Sequence, residues 1–392
     1  MNFNYYIPTK ILFGPGRLND LGTMKLPGKK AMLVISSGPS LKENGIVDRV
    51  LGLLSSAGVK TIVFDRIQPN PIKSHVMEGA ALVKKEGCDF LIGLGGGSSI
   101  DSAKSIAVMA RNPGDYWDYI SGGSGKGMPV QNGVMPVVAI TTTAGTGTEA
   151  DPWTVITKEE TGEKIGFGTP ETFPVISIVD PELMLTVPPK LTAFQGFDAL
   201  FHAAEGYIAN CATPVSELYS LKSIELLAKY LPIAVKDGGN LEARTMVALA
   251  NTLAGMVEST SSCTSEHSME HALSGFKPEL PHGAGLIMLS LAYFEFFTDK
   301  VPERMAAMAE AMGEPTGTLS PGEKKLAFVH VLQKLQTACG VDQLKISDYG
   351  IKKEDLPGLA RQARATMGGL FEMDRYRLSL EETIGIMQKA YR

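Results

Sequence analysis

Short apolar runs alternate with stretches of helical spacing along the first half of the chain. The runs lie at residues 31–35, 61–64, 90–94, 137–140 and 176–179, and a further strand or hairpin is predicted at 5–14. Their length and apolar character are typical of buried parallel strands. Apolar residues at helical spacing predict helices at 46–54, 76–85 and 100–110. This alternation predicts a doubly wound, mostly parallel, Rossmann-like sheet.

The pattern changes after Asp180-Pro181, and the Pro188-Pro189 pair then breaks the chain. Helical spacing continues from there to the end, with predicted helices at 218–231, 241–257, 303–312, 322–337 and 380–391. We therefore predict an α/β domain at residues 1–185 and an all-α domain at residues 186–392. The length of 392 residues agrees with two domains, because single cores stop growing near about 250–300 residues.

Charge and cysteine content exclude several classes of protein. The net charge of −5 argues against a nucleic-acid or anionic-membrane partner. Four cysteines lie far apart without a CxxC pair, which favours a reducing compartment over a disulfide framework. The first residues lack a signal-peptide pattern, and no apolar run approaches the roughly 20 residues of a membrane helix. These features predict a cytoplasmic protein.

A glycine-rich turn follows the predicted strand at 90–94. Its sequence, Gly95-Gly-Gly-Ser-Ser-Ile-Asp-Ser-Ala-Lys104, leads directly into a predicted helix. Glycines let the backbone approach an anion, and the N–H groups of the first helical turn bind it. The turn matches neither the Rossmann fingerprint nor a Walker loop. The alternative explanation is that its glycines serve only tight packing between strand and helix.

A second loop, Thr141 to Thr148, follows the predicted strand at 137–140. It offers hydroxyls and flexible backbone at a strand's carboxyl end, where open α/β sheets bind their ligands. Two such loops in one sheet favour a dinucleotide over a single phosphate group.

Histidines are concentrated in one stretch of the second half. Three of the six lie within the sixteen positions from His267 to His282. His267 and His271 are four residues apart and share a helix face, and His282 follows Pro281 on a turn. Imidazole is a frequent ligand of borderline metal ions, so the cluster indicates a metal site. Scattered surface histidines are the alternative interpretation.

A matching pair, Asp198 and His202, is also four residues apart. Together with His267 and His282 it gives one carboxylate and three imidazoles, a set that suits Fe²⁺ or Zn²⁺ better than Mg²⁺ or Ca²⁺. A surface Asp–His pair that only supports its helix is the alternative. Spacing by itself does not distinguish His271 from the ligands.

The motifs together resemble the iron-containing (group III) alcohol dehydrogenases over nearly the whole chain. They are the opening PTKILFG at 8–14, the loops at 95–104 and 141–149, VDPEL at 179–183, FDALFHAAE at 197–205, and HSMEH with the later PHG at 267–283. The resemblance implies the dehydroquinate synthase-like architecture, with a dinucleotide-binding domain at 1–185 and a metal-binding, catalytic domain at 186–392. It also implies a homodimer or higher homo-oligomer.

The resemblance implies a role for each candidate residue. The metal ligands, which also serve catalysis, are Asp198, His202, His267 and His282. His271 is implied to lie near nicotinamide and substrate, where we interpret it as a proton relay; a neutral histidine that only shapes the pocket is the alternative. The implied cofactor contacts are Ser36, Gly96, Gly97, Ser98, Ser99, Asp101, Thr142, Thr143, Thr146, Lys164 and Leu183.

The implied activity is a metal-dependent, NAD(P)-linked interconversion of a primary alcohol and an aldehyde. Fe²⁺ is the expected ion, with Zn²⁺ as the alternative, and it would lower the pKa of the alcohol before hydride passes to nicotinamide. A dehydroquinate synthase-like lyase needs several Lys and Arg, whereas residues 258–282 offer only Lys277. A hydroxyacid–oxoacid transhydrogenase and a non-enzymatic NAD-binding protein remain alternatives.

Two departures from the family pattern bear on specificity. Ser36 stands where many NAD-preferring members carry Asp, so NADP is as plausible as NAD. The stretch Glu258 to Glu266 is polar, and Trp153 matches a substrate-channel position, so Trp153, Glu258 and His271 are candidate pocket residues. A short or polar hydroxy compound is the resulting hypothesis. In the alternative, these Ser and Thr hydroxyls bind helix backbone.

Overall fold

The structure is a computed structural model that describes residues 2–392, and its contacts divide the chain into two units. The α/β unit comprises residues 7–143 and 148–185. The helical unit comprises residues 186–392 together with the short segments 2–6 and 144–147.

The α/β unit is built on a parallel sheet. Its strands are β1 (Lys10–Phe13), β2 (Lys30–Ser36), β3 (Lys60–Ile67), β4 (Phe90–Gly95), β5 (Val137–Thr141), β6 (Thr154–Lys158), β7 (Glu163–Phe167) and β8 (Ile176–Val179). Its helices are α1 (Ser40–Glu43), α2 (Ile46–Ser56), α3 (Lys73–Glu86) and α4 (Gly97–Arg111). Six strands pair in parallel in the order β1-β8-β5-β4-β2-β3.

The apolar runs form the centre of this sheet, which confirms the predicted fold class. Every residue of β4, β5 and β8 is buried, as continuous apolar runs require when helices cover both faces. The strand or hairpin predicted at 5–14 is wrong in extent, because only Lys10–Phe13 pairs, in parallel with β8. The antiparallel pair β6–β7 was not predicted. Its strands, TVITK and EKIGF, have no apolar run longer than two residues, so they lack the pattern that predicted the other strands.

The helical unit consists of long helices, as predicted from the spacing. They are α5 (Pro189–Ile208), α6 (Pro214–Lys236), α7 (Leu241–Thr260), α8 (Ser265–Phe276), α9 (His282–Phe297), α10 (Pro302–Ala311), α11 (Pro321–Ala338), α12 (Leu356–Met373) and α13 (Leu380–Ala390). None of the helices within residues 2–392 combines the length and the apolar character of a membrane span.

The central helix of this unit is α5, which is buried on almost all sides. Asp198, His202 and Glu205 nevertheless lie on it at positions i, i+4 and i+7, and therefore on one face. A helix buried all round must satisfy such polar groups within the protein. Small residues bring its neighbour close: a Cβ on Gly283, in the first turn of α9, would lie 2.1 Å from the Phe194 carbonyl oxygen. This approach places His282 beside Asp198.

Candidate metal centre and phosphate loop

Three helices of the helical unit bring one carboxylate and three imidazoles together. Asp198 and His202 come from α5, His267 from α8, and His282 is the first residue of α9. The Nε2 atoms of His202, His267 and His282 lie 3.6, 3.7 and 3.4 Å from the same atom, Asp198 Oδ1. One carboxylate oxygen therefore faces three imidazole nitrogens.

These separations suit a bound transition-metal ion. Four donors at about 2.0–2.1 Å from a tetrahedral centre are roughly 3.4 Å apart. Asp198 Oδ1 and His267 Nε2 are buried and have no hydrogen-bond partner among residues 2–392. Polar atoms that are both buried and unpaired are costly, and an ion between them would satisfy both. The donor set thus fits Fe²⁺ or Zn²⁺.

Electrostatics keep the two donors on α5 in metal-binding form. Burial lowers the pKa of His202 to about 3, although Asp198 opposes this, so the imidazole is neutral near pH 7. Burial raises the pKa of Asp198, but His202, His282 and His267 outweigh it, and the net direction is downward. An ionised Asp198 and a neutral His202 are the states that bind a cation. For His267, burial lowers the pKa, but Cys263, Glu205 and Asp198 outweigh it and the net direction is upward.

Glutamates contact the other ring nitrogen of each imidazole. Glu205 hydrogen-bonds His267 Nδ1, and Glu270 hydrogen-bonds His282 Nδ1. Glu258 Oε1 lies 3.3 Å from His202 Nδ1. Glu205 and Glu270 were not predicted as site residues. Their spacing is a usable signal, because each lies three residues after a histidine ligand and so shares its helix face.

The fourth imidazole, that of His271, has different neighbours. Its ring centroid is 5.3 Å from that of His282 and 6.4 Å from that of His267. Its Nδ1 lies 2.8 Å from the sulfur of Met367, the residue whose non-helical backbone kinks α12. His271 is 4% exposed, so it is part of the same buried group of imidazoles.

A thiol lies beside the centre, where none was predicted. Donor atoms of Cys263, His202 and His267 lie within 4.8 Å of one another. Burial raises the pKa of the Cys263 thiol well above its usual value, so it remains protonated near neutral pH. Its Sγ lies 3.7 Å from Glu258 Oε2, to which it donates. Cys263 therefore contacts a glutamate beside His202 as a neutral donor.

Four of the six hydroxyls in the polar stretch from Glu258 to Glu266 donate to groups of the helical unit, whereas Ser265 Oγ and both Glu266 oxygens have no hydrogen-bond partner among residues 2–392. The hydroxyls of Ser259, Thr260 and Ser261 donate to the carbonyl oxygens of Gly255, Met256 and Gly206. Hydroxyls occupied by backbone give no support to a polar substrate pocket, and Glu258 itself lies against His202. Trp153 belongs to the α/β unit, where its side chain is 41% exposed.

In the α/β unit, the glycine-rich turn connects β4 to α4. Gly95 has φ of 144°, a conformation that favours glycine, and α4 begins at Gly97. A Cβ on Gly96 would lie 2.7 Å from Thr143 Oγ1, and Thr142 N donates to Gly95 O at 2.9 Å. The two predicted loops are thus in contact. Gly96, Gly97 and Ser98 present backbone N–H groups at a helix N-terminus, where an anion binds favourably, whereas Ser99 N donates to Gly96 O at 3.1 Å.

Most of the other predicted cofactor contacts are spread over several elements of the α/β unit. Asp101 is 8% exposed and accepts from Val155 N (2.9 Å) and Thr148 Oγ1 (2.7 Å), so it ties α4 to β6. Ser36 ends β2, and Leu183 lies in the short 3-10 helix after β8. Lys164 in β7 donates to Asn70 (3.1 Å).

Asp101 and Lys104 of α4 are buried and bind polar groups within the α/β unit. Burial raises the pKa of Asp101 to about 6. Lys104 Nζ donates to Thr148 Oγ1 at 2.7 Å and lies 3.2 Å from Asp151 Oδ1. Thr146, the remaining predicted contact, lies in the 144–147 segment grouped with the helical unit.

Family models match both halves of the chain. The model for iron-containing alcohol dehydrogenase matches residues 8–181, and that for the C-terminal part of the Fe-containing alcohol dehydrogenase family matches residues 192–391. The chain belongs to the iron-containing alcohol dehydrogenase family. Its activity is therefore that of an alcohol dehydrogenase, as predicted from the sequence.

Relatives in this family match over most of their length. The chain is 36% identical to 1,3-propanediol dehydrogenase of Citrobacter freundii, covering 92% of each chain. It is 35% identical to NAD-dependent methanol dehydrogenase of Bacillus methanolicus, covering 92% of this chain and 93% of that one. The solved structure of an archaeal halo-thermophilic Red Sea brine pool alcohol dehydrogenase has a TM-score of 0.95 at 34% identity, covering 100% and 99% of the two chains.

Proposed function

We propose that this alcohol dehydrogenase depends on Fe²⁺, with Zn²⁺ as the alternative ion, and uses NAD or NADP. The observation that carries the proposal is the convergence of three Nε2 atoms on Asp198 Oδ1 at 3.4–3.7 Å. When bound, the ion would lower the pKa of an alcohol, and the nicotinamide would exchange hydride with its carbon. A relative named as an NAD-dependent methanol dehydrogenase supports the choice of cofactor class.

The residues of the chain have distinct tasks in this proposal. Asp198, His202, His267 and His282 hold the ion. The burial of the first three limits water around it, whereas the His282 side chain is 21% exposed. His271, whose Nδ1 lies against the sulfur of Met367, accepts the alcohol's proton at Nε2 and later releases it there. Gly96 and Gly97, with the first turn of α4, bind the cofactor's phosphates through backbone N–H groups.

Charge around the centre favours a neutral or cationic alcohol over an anionic one. Glu205, Glu258 and Glu270 surround the histidine ligands, in addition to Asp198. Lys277 is the one Lys or Arg residue between positions 258 and 282, and its Nζ lies 5.3 Å from the ring centroid of Phe276. A hydroxy acid or a phosphorylated substrate would meet like charges here, which is costly. The dehydrogenase proposal is therefore favoured over the transhydrogenase and the lyase.

A screen of substrates with defined metal content tests this function. The protein would be loaded anaerobically with Fe²⁺ or Zn²⁺ and assayed with ethanol, butanol, 1,3-propanediol, choline and lactate, each with NAD and with NADP. We expect turnover of neutral alcohols that depends on added free cofactor, and a kcat/KM for lactate at least tenfold lower. Turnover of lactate with an oxo acid and no free cofactor would instead identify a transhydrogenase.

We further propose that the enzyme is a cytoplasmic homo-oligomer, as the family resemblance implies. Sedimentation of the purified protein at several concentrations tests the oligomeric state. A monomer at micromolar concentration would contradict it.

A further inference from the structure

Three glutamates contact the imidazole ligands, each from a different helix than the histidine that it contacts. The pairs are Glu205 of α5 with His267 of α8, Glu270 of α8 with His282 of α9, and Glu258 of α7 with His202 of α5. In each pair the glutamate oxygen approaches Nδ1, whereas the Nε2 atoms face Asp198.

We propose that Glu205, Glu270 and Glu258 are positioning residues: Glu205 and Glu270 set the tautomer and orientation of His267 and His282 by hydrogen bonds, and Glu258 orients His202 through a weaker electrostatic contact. An imidazole that donates its Nδ1 hydrogen to a carboxylate keeps the lone pair of Nε2 for the ion. The carboxylate also makes the ring a stronger donor to a cation. This inference rests on the metal dependence in the proposed function, but it concerns the metal affinity and not the reaction.

Glu205 is held most firmly of the three. Its side chain is fully buried, and its Oε2 accepts from Thr264 N at 2.7 Å and from Thr264 Oγ1 at 2.8 Å. Thr264 Oγ1 lies 2.8 Å from Tyr293 Oη, which donates to Asp374 Oδ1 at 2.9 Å. These contacts hold Glu205 through Oε2, the oxygen that does not bind the His267 ring, so its Oε1 remains directed at His267.

Glu270 is positioned by close packing between α8 and α9. Its side chain is fully buried, and a Cβ on Gly285 would lie 2.7 Å from Glu270 Oε1 and 2.8 Å from its Cγ. Gly285 lies three residues after His282, on the same face of α9. The absence of a side chain at Gly285 thus leaves the space in which Glu270 reaches His282.

Glu258 makes the weakest of the three contacts. Its Oε1 lies 3.3 Å from His202 Nδ1, its side chain is 11% exposed, and its other oxygen accepts from Cys263. We therefore expect its contribution to metal affinity to be the smallest. The three contacts link α7 to α5, α5 to α8, and α8 to α9, so they brace every helix that carries a ligand.

Cobalt binding provides a direct test, because Co²⁺ reports its ligand geometry in its visible spectrum. The protein would be depleted of metal with a chelator, and Glu205→Gln, Glu270→Gln and Glu258→Gln compared with the wild type. The dissociation constant for Co²⁺ would be measured by competition with a chromophoric chelator. We expect it to rise about 10–100-fold for the first two variants and less for the third. The spectrum should also change in the first two.

Two further variants separate the positioning of an imidazole from the general effect of changing a buried residue near the metal centre. Glu266→Gln replaces a fully buried carboxyl on α8, next to His267, whose oxygens have no hydrogen-bond partner among residues 2–392. Its Co²⁺ affinity should stay within about twofold of the wild type, which is roughly 0.4 kcal/mol. Gly285→Ala keeps every charge but displaces Glu270, so it should weaken Co²⁺ binding about as much as Glu270→Gln.

The results can overturn the inference in two ways. Unchanged affinity and spectrum in Glu270→Gln would contradict it, even if Glu205→Gln fails to fold. An equal loss of affinity in Glu266→Gln would show that any buried acid matters, and not the contacts with imidazole. A wild type that binds Co²⁺ tightly but oxidises no alcohol would refute the proposed function and leave this inference standing.

Discussion

The phosphate loop and the metal centre are assembled in opposite ways. The loop is one continuous segment between β4 and α4, and its proposed binding groups are backbone N–H groups. The metal centre takes its donors from α5, α8 and α9, and its binding groups are side-chain atoms. A backbone site depends on the absence of side chains, whereas a side-chain site depends on how each ring is oriented.

This difference predicts different sensitivities to substitution. The loop should tolerate most changes except at glycines where a Cβ has no room, as at Gly96. The metal centre should lose its ion when any ligand is removed, because the remaining donors leave an incomplete coordination sphere. Because each site is contained in its own unit, damage to one should leave binding at the other intact.

The largest effect should come from the ligands themselves. We expect Asp198→Ala or His267→Ala to abolish both metal binding and alcohol oxidation, because each removes a donor from the buried set. Metal content by atomic emission and turnover of butanol would be measured on the same preparation. Cofactor binding, followed by nucleotide fluorescence, should remain, and its loss would break the comparison between the two sites.

His271→Ala is the matched variant for this prediction. Its imidazole lies among the ligand rings, 5.3 Å from that of His282, but its assigned role is proton transfer. We expect it to retain the metal and lose turnover by roughly 10²–10⁴-fold. Loss of the metal in this variant would show that His271 is a ligand after all.

The next effect concerns the phosphate loop. A Cβ on Gly96 would lie 2.7 Å from Thr143 Oγ1, so Gly96→Ala must displace either the Thr143 side chain or the turn before α4. We expect the dissociation constant for NAD or NADP to rise about 10–100-fold, since hydrogen bonds to a charged group contribute roughly 1.5–3 kcal/mol. Isothermal titration of the metal-loaded protein measures it.

A glycine elsewhere in the same unit provides the control. Gly52 lies within α2, and a Cβ there would meet no atom within 4 Å. Gly52→Ala should leave cofactor affinity unchanged and add slightly to stability, as Ala does in a helix. Weakened binding in both variants would mean that the loop has no special role.

The sequence predicted the loop more completely than the metal centre, for a physical reason. The residues from Gly95 to Lys104 are neighbours in the chain, so their spacing alone gives their geometry. Asp198 and His202 were predictable as a pair on one helix face, but their approach to His282 depends on packing at Gly283. Glu258 and Cys263 show what the sequence does not predict. Their contacts with His202 and with each other depend on how α5, α7 and the segment before α8 pack.

A smaller effect concerns cofactor choice at Ser36. This serine ends β2, at the carboxyl edge of the parallel sheet where such folds bind the adenine ribose. Ser36→Asp should weaken NADP binding roughly tenfold through repulsion of the 2′-phosphate, with NAD affected less. Dissociation constants for both cofactors give the ratio. An unchanged ratio would show that Ser36 does not face the ribose. Metal binding at Asp198 should be unaffected in either case.

The last expected effect is on stability and leaves ligand binding unchanged; it lies at the far end of the hydrogen-bonded chain behind His267. Burial raises the pKa of Asp374 from 3.8 to about 7, and its carboxyl is 3% exposed. Between about pH 4 and pH 7 the folded state thus binds more protons than the unfolded state, so this group's contribution to stability falls as pH rises through that window. Above pH 7 a buried charge remains, at a cost on the order of 4 kcal/mol, since each unit of pKa shift corresponds to about 1.4 kcal/mol.

Asp374→Asn removes this charge but keeps an oxygen that can accept from Tyr293. The variant should therefore gain melting temperature relative to the wild type at pH 8 and gain little or nothing at pH 5. Asp299→Asn, at an exposed ion pair with Lys325, should show no such pH dependence. Equal shifts of the Asp374 variant at both pH values would mean that its carboxyl titrates below pH 5 in the folded protein. The hydrogen-bonded groups behind His267 would then end in a carboxylate that is ionised at both pH values, and burial would not raise its pKa.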